Sequence, residues 1–237
     1  MASATGNAPP VVELIRASKV YHDGGNLVTA LQEADLALTK GSFTAIVGRS
    51  GCGKSTLLNL AGAVDVPSSG AVWIERRSTR ELNDDELSRL RRTRIGFVFQ
   101  FFHLLPTLTV EENVGLPLML DLKRVSAERA PALRKRVMRL LEMVELGGKA
   151  GRFPHQLSGG EMQRAAIARA LVHEPGIVIA DEPTGNLDSV NAETVLQLLR
   201  QISREMGQTV LMATHSREAA EAATRVLSMR DGRLLPA

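Results

Sequence analysis

Short apolar runs separated by longer amphipathic stretches dominate the pattern of this 237-residue chain. Four runs, at 43–47, 95–99, 177–180 and 209–213, are almost continuously apolar, which is typical of strands buried on both faces. Between them, apolar residues recur at spacings of three and four, as they do in amphipathic helices. This alternation predicts an α/β fold built on a central sheet.

Three further segments, 11–20, 31–38 and 71–74, alternate apolar and polar residues. A period of two is typical of strands with one buried face, so they predict an antiparallel sheet beside the central one. From Val110 to Leu146 the spacing is helical, and Gly147 then ends the pattern. We therefore predict one domain over residues 11–237, with a helical insert at about 101–165. Residues 1–10 are small and polar, which predicts a disordered tail.

A glycine-rich stretch after the first buried run fits the pattern Gly-x-x-x-x-Gly-Lys-Ser, and a helical pattern follows it. Glycines let backbone N–H groups approach phosphate oxygens, and a helix start adds a favourable dipole. The lysine of this motif pairs with the β- and γ-phosphates, and the serine hydroxyl binds Mg²⁺. A turn that binds nothing is the alternative, which the flanking strand and helix disfavour. The predicted nucleotide-binding residues here are Gly48, Arg49, Ser50, Gly51, Cys52, Gly53, Lys54, Ser55 and Thr56.

Cys52 is the only cysteine. We favour a small filler residue over the alternative of a thiol shielded by nucleotide. A single cysteine excludes an intramolecular disulfide and suits a reducing compartment. A formal net charge of +3 and only 3% aromatic residues make no case for nucleic-acid binding. No apolar run reaches the roughly 18 residues needed to cross a bilayer, so we expect the chain alone to be soluble.

Polar side chains follow the other buried runs. Gln100 follows one run, Asp181 and Glu182 another, and His215 a third, and open sheets bind ligands at such strand ends. We predict that Asp181, Gln100 and Ser55 bind Mg²⁺, that Glu182 is a general base or water-positioning group, and that His215 contacts the γ-phosphate. A helix N-cap pair is the alternative for the carboxylates, and a structural role is the alternative for the histidine. The predicted catalytic set is Glu182, His215, Gln100 and Lys54.

Two weaker features have plain alternatives. Tyr21 either stacks on adenine through its flat π-face or is a tyrosine at a sheet edge. Ser158 is a candidate N-cap, and Gly159, Gly160 and Glu161 complete a second anion-binding helix start. Taken alone, Ser-Gly-Gly is usually a turn.

Together these motifs, in this order along nearly the whole chain, resemble the nucleotide-binding subunit of an ATP-binding-cassette (ABC) transporter. The resemblance implies a P-loop NTPase with a RecA-like core sheet, a flanking antiparallel β subdomain and an inserted α-helical subdomain. It implies ATP and Mg²⁺ as cofactors and a head-to-tail homodimer with two ATP molecules between the subunits. Each ATP would lie on one copy's glycine loop and under Ser158, Gly159 and Gly160 of the other copy. Asp188 matches the loop that communicates between the two sites, Tyr21 matches the adenine-stacking aromatic, and Glu161 replaces the glutamine of many members.

Finer motifs at 99–106, 112–114, 116–118 and 181–189 resemble the lipoprotein-release and macrolide-export (LolD- and MacB-like) branch. This implies a peripheral ATPase at the cytoplasmic face of a bacterial inner membrane that powers export, lipoprotein extraction or mechanotransmission through membrane subunits. The apolar residues from Phe101 to Leu105 would help to form the groove for a membrane subunit's coupling helix. Two alternatives stay open: a cell-division-type ABC ATPase that signals to cell-wall enzymes, and a soluble ABC ATPase of DNA repair or translation.

Overall fold

The computed structural model describes residues 9–120 and 130–235, which form ten strands and seven α-helices. In chain order these are β1 (Val12–Asp23), β2 (Asn26–Leu38), β3 (Phe43–Val47), α1 (Lys54–Ala61), β4 (Ser69–Ile74), β5 (Arg77–Ser78), α2 (Asp84–Arg94), β6 (Ile95–Phe99), α3 (Val110–Met119), α4 (Ala130–Met143), α5 (Gly159–Leu171), β7 (Ile177–Asp181), α6 (Ser189–Arg204), β8 (Thr209–Thr214), α7 (Arg217–Ala220), β9 (Arg225–Arg230) and β10 (Arg233–Leu235).

The strands form two sheets. The core sheet has the order β10-β9-β3-β8-β7-β6, and β9, β3, β8, β7 and β6 run parallel. The second sheet has the order β2-β1-β4-β5 and is antiparallel. All four predicted core strands and the predicted antiparallel sheet are therefore present, although β1 and β2 extend further towards their shared hairpin than the alternating pattern indicated.

The four central strands, β3, β8, β7 and β6, are buried on both faces, because neighbouring side chains enter two different apolar clusters. In β7, Val178 and Ala180 face the cluster that contains α3, α4, α5 and α6 residues, whereas Ile177 and Ile179 face the cluster shared with α1, α2 and the antiparallel sheet. Burial on both faces explains why these strands read as continuous apolar runs rather than as alternating patterns.

The predicted helical insert is built mainly from two helices between β6 and β7. Val114 of α3 and Leu141 of α4 are fully buried in the same cluster. The single helical pattern predicted from Val110 to Leu146 is two helices, and residues 121–129 lie outside the described residues. The predicted end of the insert, near residue 165, falls inside α5, whose Ala170 packs against Gly96 of β6.

The remaining predicted elements differ from the structure only in their boundaries or in short elements that were not predicted. Helix α2 begins after Asn83, which forms a capping box with Glu86, and not at Glu81. Strand β5 and helix α7 are too short to give a pattern, and the sequence analysis missed both. Most of the predicted disordered tail, residues 1–8, lies outside the described residues. Among the described helices, none combines the length and the apolar character that crossing a bilayer requires.

Candidate functional site

The predicted site residues meet at one edge of the core sheet. Because β3, β6, β7 and β8 are parallel, their carboxyl ends lie side by side. The glycine loop follows β3, Gln100 follows β6, Glu182 follows β7, and His215 follows β8. This edge is where parallel sheets bind ligands.

The glycine loop passes directly into helix α1. Gly53 is the N-cap residue with a φ of 104°, in the left-handed region that favours glycine, and a Cβ there would collide with the Ala30 carbonyl oxygen. Lys54 is the first helical residue and is buried. Its Nζ donates to the carbonyl oxygens of Gly48 (2.8 Å) and Arg49 (3.2 Å). The lysine therefore holds the loop closed on itself through bonds that phosphate oxygens could replace.

Three other loop residues have distinct environments. Arg49 and Ser50 are exposed, as a loop that receives a ligand from solvent requires. Cys52 is only 8% exposed and lies in the apolar cluster beneath the loop, which favours the filler interpretation. Thr56 lies near the Tyr21 hydroxyl, and the start of α1 is in contact with the antiparallel sheet.

Glu182 is held between two partners. Its Oε1 lies 3.6 Å from Nζ of Lys54, and its Oε2 lies 2.9 Å from Nδ1 of His215 and accepts from the His215 backbone N–H at 3.2 Å. The backbone of Glu182 has a φ of 47°, a left-handed conformation that is strained for a residue with a side chain. Strain of this kind is typical of functional positions, and it directs the carboxylate towards the glycine loop.

Asp181 and Ser55 form the candidate magnesium site. The Ser55 hydroxyl is near enough to the Asp181 carboxylate to affect its pKa, so two oxygen ligands of the kind that Mg²⁺ prefers are close together. Burial raises the pKa of Asp181 above its usual range; the Ser55 hydroxyl opposes this shift, and the charge of Glu182 adds to it. No cluster of three or more His, Cys, Asp or Glu side chains suited to a metal occurs among the described residues. The donor set therefore fits an ion that also takes oxygen ligands from nucleotide phosphates.

Among the described residues, Gln100 forms its side-chain hydrogen bond with Asn186 and not with Ser55 or Asp181. Its side-chain Nε2 donates to Oδ1 of Asn186 at 3.0 Å, and its backbone carbonyl oxygen accepts from Nδ2 of Asn186 at 3.1 Å. The sequence analysis did not single out Asn186, which lies in the turn after Glu182. In this structure the predicted magnesium ligand is therefore bonded to the loop after β7.

Tyr21 is fixed by two residues that the sequence analysis missed. Its hydroxyl donates to Oδ2 of Asp65 at 3.0 Å, and Nζ of Lys19 lies 5.1 Å from its ring centroid. Lys19 also donates to Oδ1 of Asp65 at 2.6 Å. Burial opposes ionisation of Asp65, but hydrogen bonds from Lys19, the Val66 N–H and Tyr21 outweigh it and lower the pKa of that carboxyl. Lys19 is two residues before Tyr21, and this spacing on a strand was a usable signal, whereas nothing in the sequence pointed to Asp65.

The second helix start, at α5, has a complete capping box made by Ser158 and Glu161. Ser158 Oγ accepts from the Glu161 backbone N–H at 3.3 Å, and a Glu161 carboxylate oxygen accepts from the Ser158 N–H at 2.9 Å. The other Glu161 oxygen pairs with Lys149, which the sequence analysis missed. The Lys149 hydrogen bond and the Ser158 N–H lower the pKa of Glu161. Ser158 is confirmed as an N-cap.

The start of α5 also contacts the start of α6. A Cβ on Gly160 would collide with the Asn191 side chain, and Asn191 Nδ2 donates to Oδ2 of Asp188 at 2.7 Å. Asp188 is the N-cap of α6 and accepts from the Asn191 N–H at 2.9 Å. Gly160 is therefore required for packing inside this chain, and Gly159 lies against Leu187 of the same loop.

A groove of about 560 Å³ lies beside the site, between α2, β6, α3 and α5. Its lining combines apolar and basic side chains, and includes Phe97, Phe99, Pro117, Leu120, Arg91, Arg92 and Arg169. Residues 101–105, which we expected in a groove, do not line this one. They are joined to it by Arg169, whose guanidinium donates to the carbonyl oxygens of Phe102 (2.7 Å) and His103.

Comparison with known proteins assigns the chain to a family. A profile of the ABC transporter family matches residues 31–185. An uncharacterized ABC transporter ATP-binding protein of Methanocaldococcus jannaschii, MJ1508, is 44% identical over 225 residues, which are 95% of this chain and 98% of that protein. The lipoprotein-releasing system ATP-binding protein LolD of Xanthomonas campestris pv. campestris is 44% identical over 224 residues, 94% of this chain and 92% of that protein.

A solved structure agrees with these matches. It is the dimeric structure of a post-hydrolysis state of the ATP-binding cassette MJ0796 of M. jannaschii, bound to ADP and Pi. Its chain is 43% identical, superposes with a TM-score of 0.85, and the match covers 95% of this chain and 97% of that one.

Proposed function

This chain belongs to the ABC transporter family and is an ATP-binding and ATP-hydrolysing subunit of such a transporter, and we propose how its residues divide that work. The glycine loop and Lys54 bind the phosphates, Glu182 and His215 act on the attacking water and the γ-phosphate, and Tyr21 stacks on adenine. The assignment of residues 11–237 to a single domain with an insert at about 101–165 stays a prediction.

The position of Glu182 supports this assignment most directly. Its carboxylate lies 3.6 Å from the ammonium of Lys54, the group that pairs with the β- and γ-phosphates in this motif. A base so close to the phosphate-binding lysine lies within reach of a water molecule in line with the terminal phosphate. His215, bonded to the other oxygen at 2.9 Å, holds the carboxylate in this orientation.

The residues' parts in hydrolysis follow from these contacts. Lys54 exchanges its bonds to the Gly48 and Arg49 carbonyls for bonds to phosphate oxygens, which carry full charges and bind an ammonium more strongly. Ser55 and Asp181 would hold Mg²⁺, which neutralises charge on the phosphates when bound. Glu182 orients the attacking water and accepts its proton as the water oxygen bonds to the γ-phosphorus and the bond from that phosphorus to ADP breaks. His215 exchanges its bond to Glu182 for one to the γ-phosphate. Gln100 takes part after it leaves Asn186.

We propose that hydrolysis requires a homodimer. The second helix start carries backbone donors at Gly159 and Gly160, and this chain's own glycine loop precedes a different helix. A two-fold arrangement gives each ATP the glycine loop of one copy and Ser158, Gly159 and Gly160 of the other. Support comes from the relative MJ0796, whose solved cassettes are dimeric. Asp188, at the N-cap of α6 beside the start of α5, then links the two sites.

We propose that the groove receives a membrane subunit. An apolar lining with Arg91, Arg92 and Arg169 suits a short amphipathic helix that carries carboxylates, and this helix would be the coupling helix of the partner. The relatives named for lipoprotein release favour an extraction or mechanotransmission role at the cytoplasmic face of a bacterial membrane. Co-purification of a membrane subunit from bacterial membranes tests this partner.

Replacing Glu182 by Gln tests the catalytic assignment. The amide keeps the size and a hydrogen bond to His215 but cannot accept a proton, so we expect ATP turnover to fall at least ~100-fold while ATP affinity stays within about threefold. Turnover is measured by phosphate release and affinity by calorimetry. Glu193→Gln, at an exposed position on α6, is the matched control and should match the unaltered protein. Full turnover in Glu182→Gln would show that another group is the base.

A further inference from the structure

A buried glutamine joins α5 to both catalytic loops. Gln163 lies in the second turn of α5, four residues after Gly159, and its side chain is 0% exposed. None of the roles proposed above uses it. It lies on the face of α5 whose first turn contacts Phe102 and Leu187, so this face packs against the loops after β6 and β7.

The amide of Gln163 donates two hydrogen bonds, one to each loop. Nε2 donates to the carbonyl oxygen of Pro183 at 2.7 Å and to that of Phe99 at 3.2 Å. Phe99 immediately precedes Gln100, and Pro183 immediately follows Glu182. Since both acceptors are carbonyl oxygens, only the NH₂ group can make these bonds, and the chemistry fixes the orientation of the amide.

This arrangement costs stability. Oε1 of Gln163 is buried and has no hydrogen-bond partner within the described residues. A buried polar atom without a partner is unfavourable, and an apolar side chain of the same shape would avoid that cost. The gain that offsets it lies in the two donated bonds, which tie the first turns of α5 to two short loops at the sheet edge.

We propose that Gln163 is a positioning residue for ATP hydrolysis. It fixes the backbone on which Gln100 and Glu182 are mounted relative to helix α5. These two groups are then held at the ATP on this copy's glycine loop, while Ser158 faces the ATP on the loop of the other copy. Gln163 is fully buried and acts through Gln100 and Glu182. This inference rests on the roles proposed above for those two residues.

The test uses Gln163→Met, which keeps the length and shape of the side chain and removes both donors. We expect ATP affinity to stay within about twofold, because Lys54 and Tyr21 are unaffected. We expect kcat to fall about 10- to 100-fold, the loss that a displacement of about 1 Å causes in a catalytic group. Gln201→Met is the matched control, since it removes an amide bond to Glu205 on the exposed face of α6.

A double-mutant cycle separates positioning from general stability. Because Gln163 acts partly through Gln100, the fall in kcat of Gln163→Met/Gln100→Ala should be clearly smaller than the product of the falls in the two single variants. A residue that only stabilises the fold would lower the melting temperature and the fraction of chains that bind ATP, and its effect on kcat would add to that of Gln100→Ala. Wild-type kcat in folded Gln163→Met, or full additivity, would overturn the proposal.

Gln163→Asn keeps the proposal testable if the methionine variant does not fold. Asparagine retains the NH₂ group but is one methylene shorter, so it cannot span both carbonyls, and kcat should fall with ATP affinity unchanged. Normal kcat in that variant also overturns the proposal. Glu182→Gln separates the catalytic role of Glu182 from the positioning role of Gln163. If Glu182→Gln remains active, the catalytic assignment fails. If Glu182→Gln is inactive while Gln163→Met is fully active, only the positioning role fails.

Discussion

The two helix starts proposed to contact ATP are built in opposite ways. Helix α1 begins at a left-handed glycine, Gly53, which offers no side-chain cap, and its first turn has no acidic residue. Helix α5 begins at Ser158, has a complete capping box, and has an acidic residue, Glu161, in its first turn. The α1 start depends on a lysine that donates to the loop's own carbonyls, whereas at the α5 start the capping box satisfies the N–H groups of Ser158 and Glu161 and leaves those of Gly159 and Gly160 for a ligand.

This difference separates affinity from catalysis. Backbone donors without a cap gain most from an anion, so the α1 start should provide most of the affinity for ATP. A capped start is rigid before ligand arrives, so the α5 start can add contacts only when a second copy brings it to the nucleotide. Glu161 puts a negative charge where phosphate would come, and Lys149 offsets it.

The largest expected effect is at α1. In Lys54→Ala, ATP loses a charge-assisted interaction that contributes about 1.5–3 kcal/mol, so Kd should rise at least about 10- to 150-fold. Calorimetry with ATP measures it, and Lys40→Ala, an exposed lysine outside the site, is the control. Unchanged affinity in Lys54→Ala would contradict the assignment of the loop.

The next largest effect is expected at the α5 start, where a substitution should lower kcat without changing the affinity of the monomer for ATP. Ser158→Ala removes a cap that contributes about 1 kcal/mol to stability, and it removes a contact to ATP only in the dimer. We expect kcat to fall about tenfold or more while ATP binding to the monomer stays normal. Thr109→Ala is a close control, because Thr109 and Glu112 form the same capping box at α3, away from the site. If Ser158→Ala weakened monomer binding as Lys54→Ala does, the comparison would fail.

The charge at α5 should matter less. In Lys149→Gln, Glu161 keeps its negative charge without its partner and repels the phosphates, so kcat/KM should fall about two- to fivefold, and added salt should reduce the loss. Glu161→Gln in the same chain should restore activity. Arg134→Gln is the control, because Arg134 pairs with Glu111 in the first turn of α3. Failure of Glu161→Gln to restore activity would show that Lys149 acts in another way.

The smallest effect concerns Asp181, next to the α1 start. Because burial raises its pKa, the protonated form favours the fold; that stability is fully present below the ordinary pKa and is lost as pH rises through the raised one. At neutral pH the charge is therefore a cost, and Asp181→Asn should raise the melting temperature of the nucleotide-free protein by about 1–2 °C. The difference in melting temperature between Asp181→Asn and the unaltered protein should shrink as the pH is lowered.

Scanning calorimetry with and without Mg²⁺ and ATP completes this test. With Mg²⁺ and ATP both present, Asp181→Asn should have the lower melting temperature of the two proteins, since it loses a magnesium ligand. A lower melting temperature for the ligand-free variant at neutral pH would show that the ionised carboxylate stabilises the fold.

Much of this molecule follows from the sequence alone. The four apolar runs and the glycine loop specify parallel strands and a phosphate site, because burial on both faces and close approach of backbone to phosphate each restrict the residues allowed. The predicted family and α/β fold were confirmed by the comparisons. The capping box at Asn83 and the proline at the second position of α4, Pro131, were signals that would have corrected two helix boundaries.

Only the tertiary structure decided which distant residues support the site. Asp65 meets Tyr21 across 44 residues, Lys149 meets Glu161, and Gln163 meets Phe99 across 64. Each is a single polar contact between elements that lie side by side in space, and such contacts have no period along the chain. Local chemistry therefore determined where phosphate binds, and packing determined which side chains hold the catalytic groups in place.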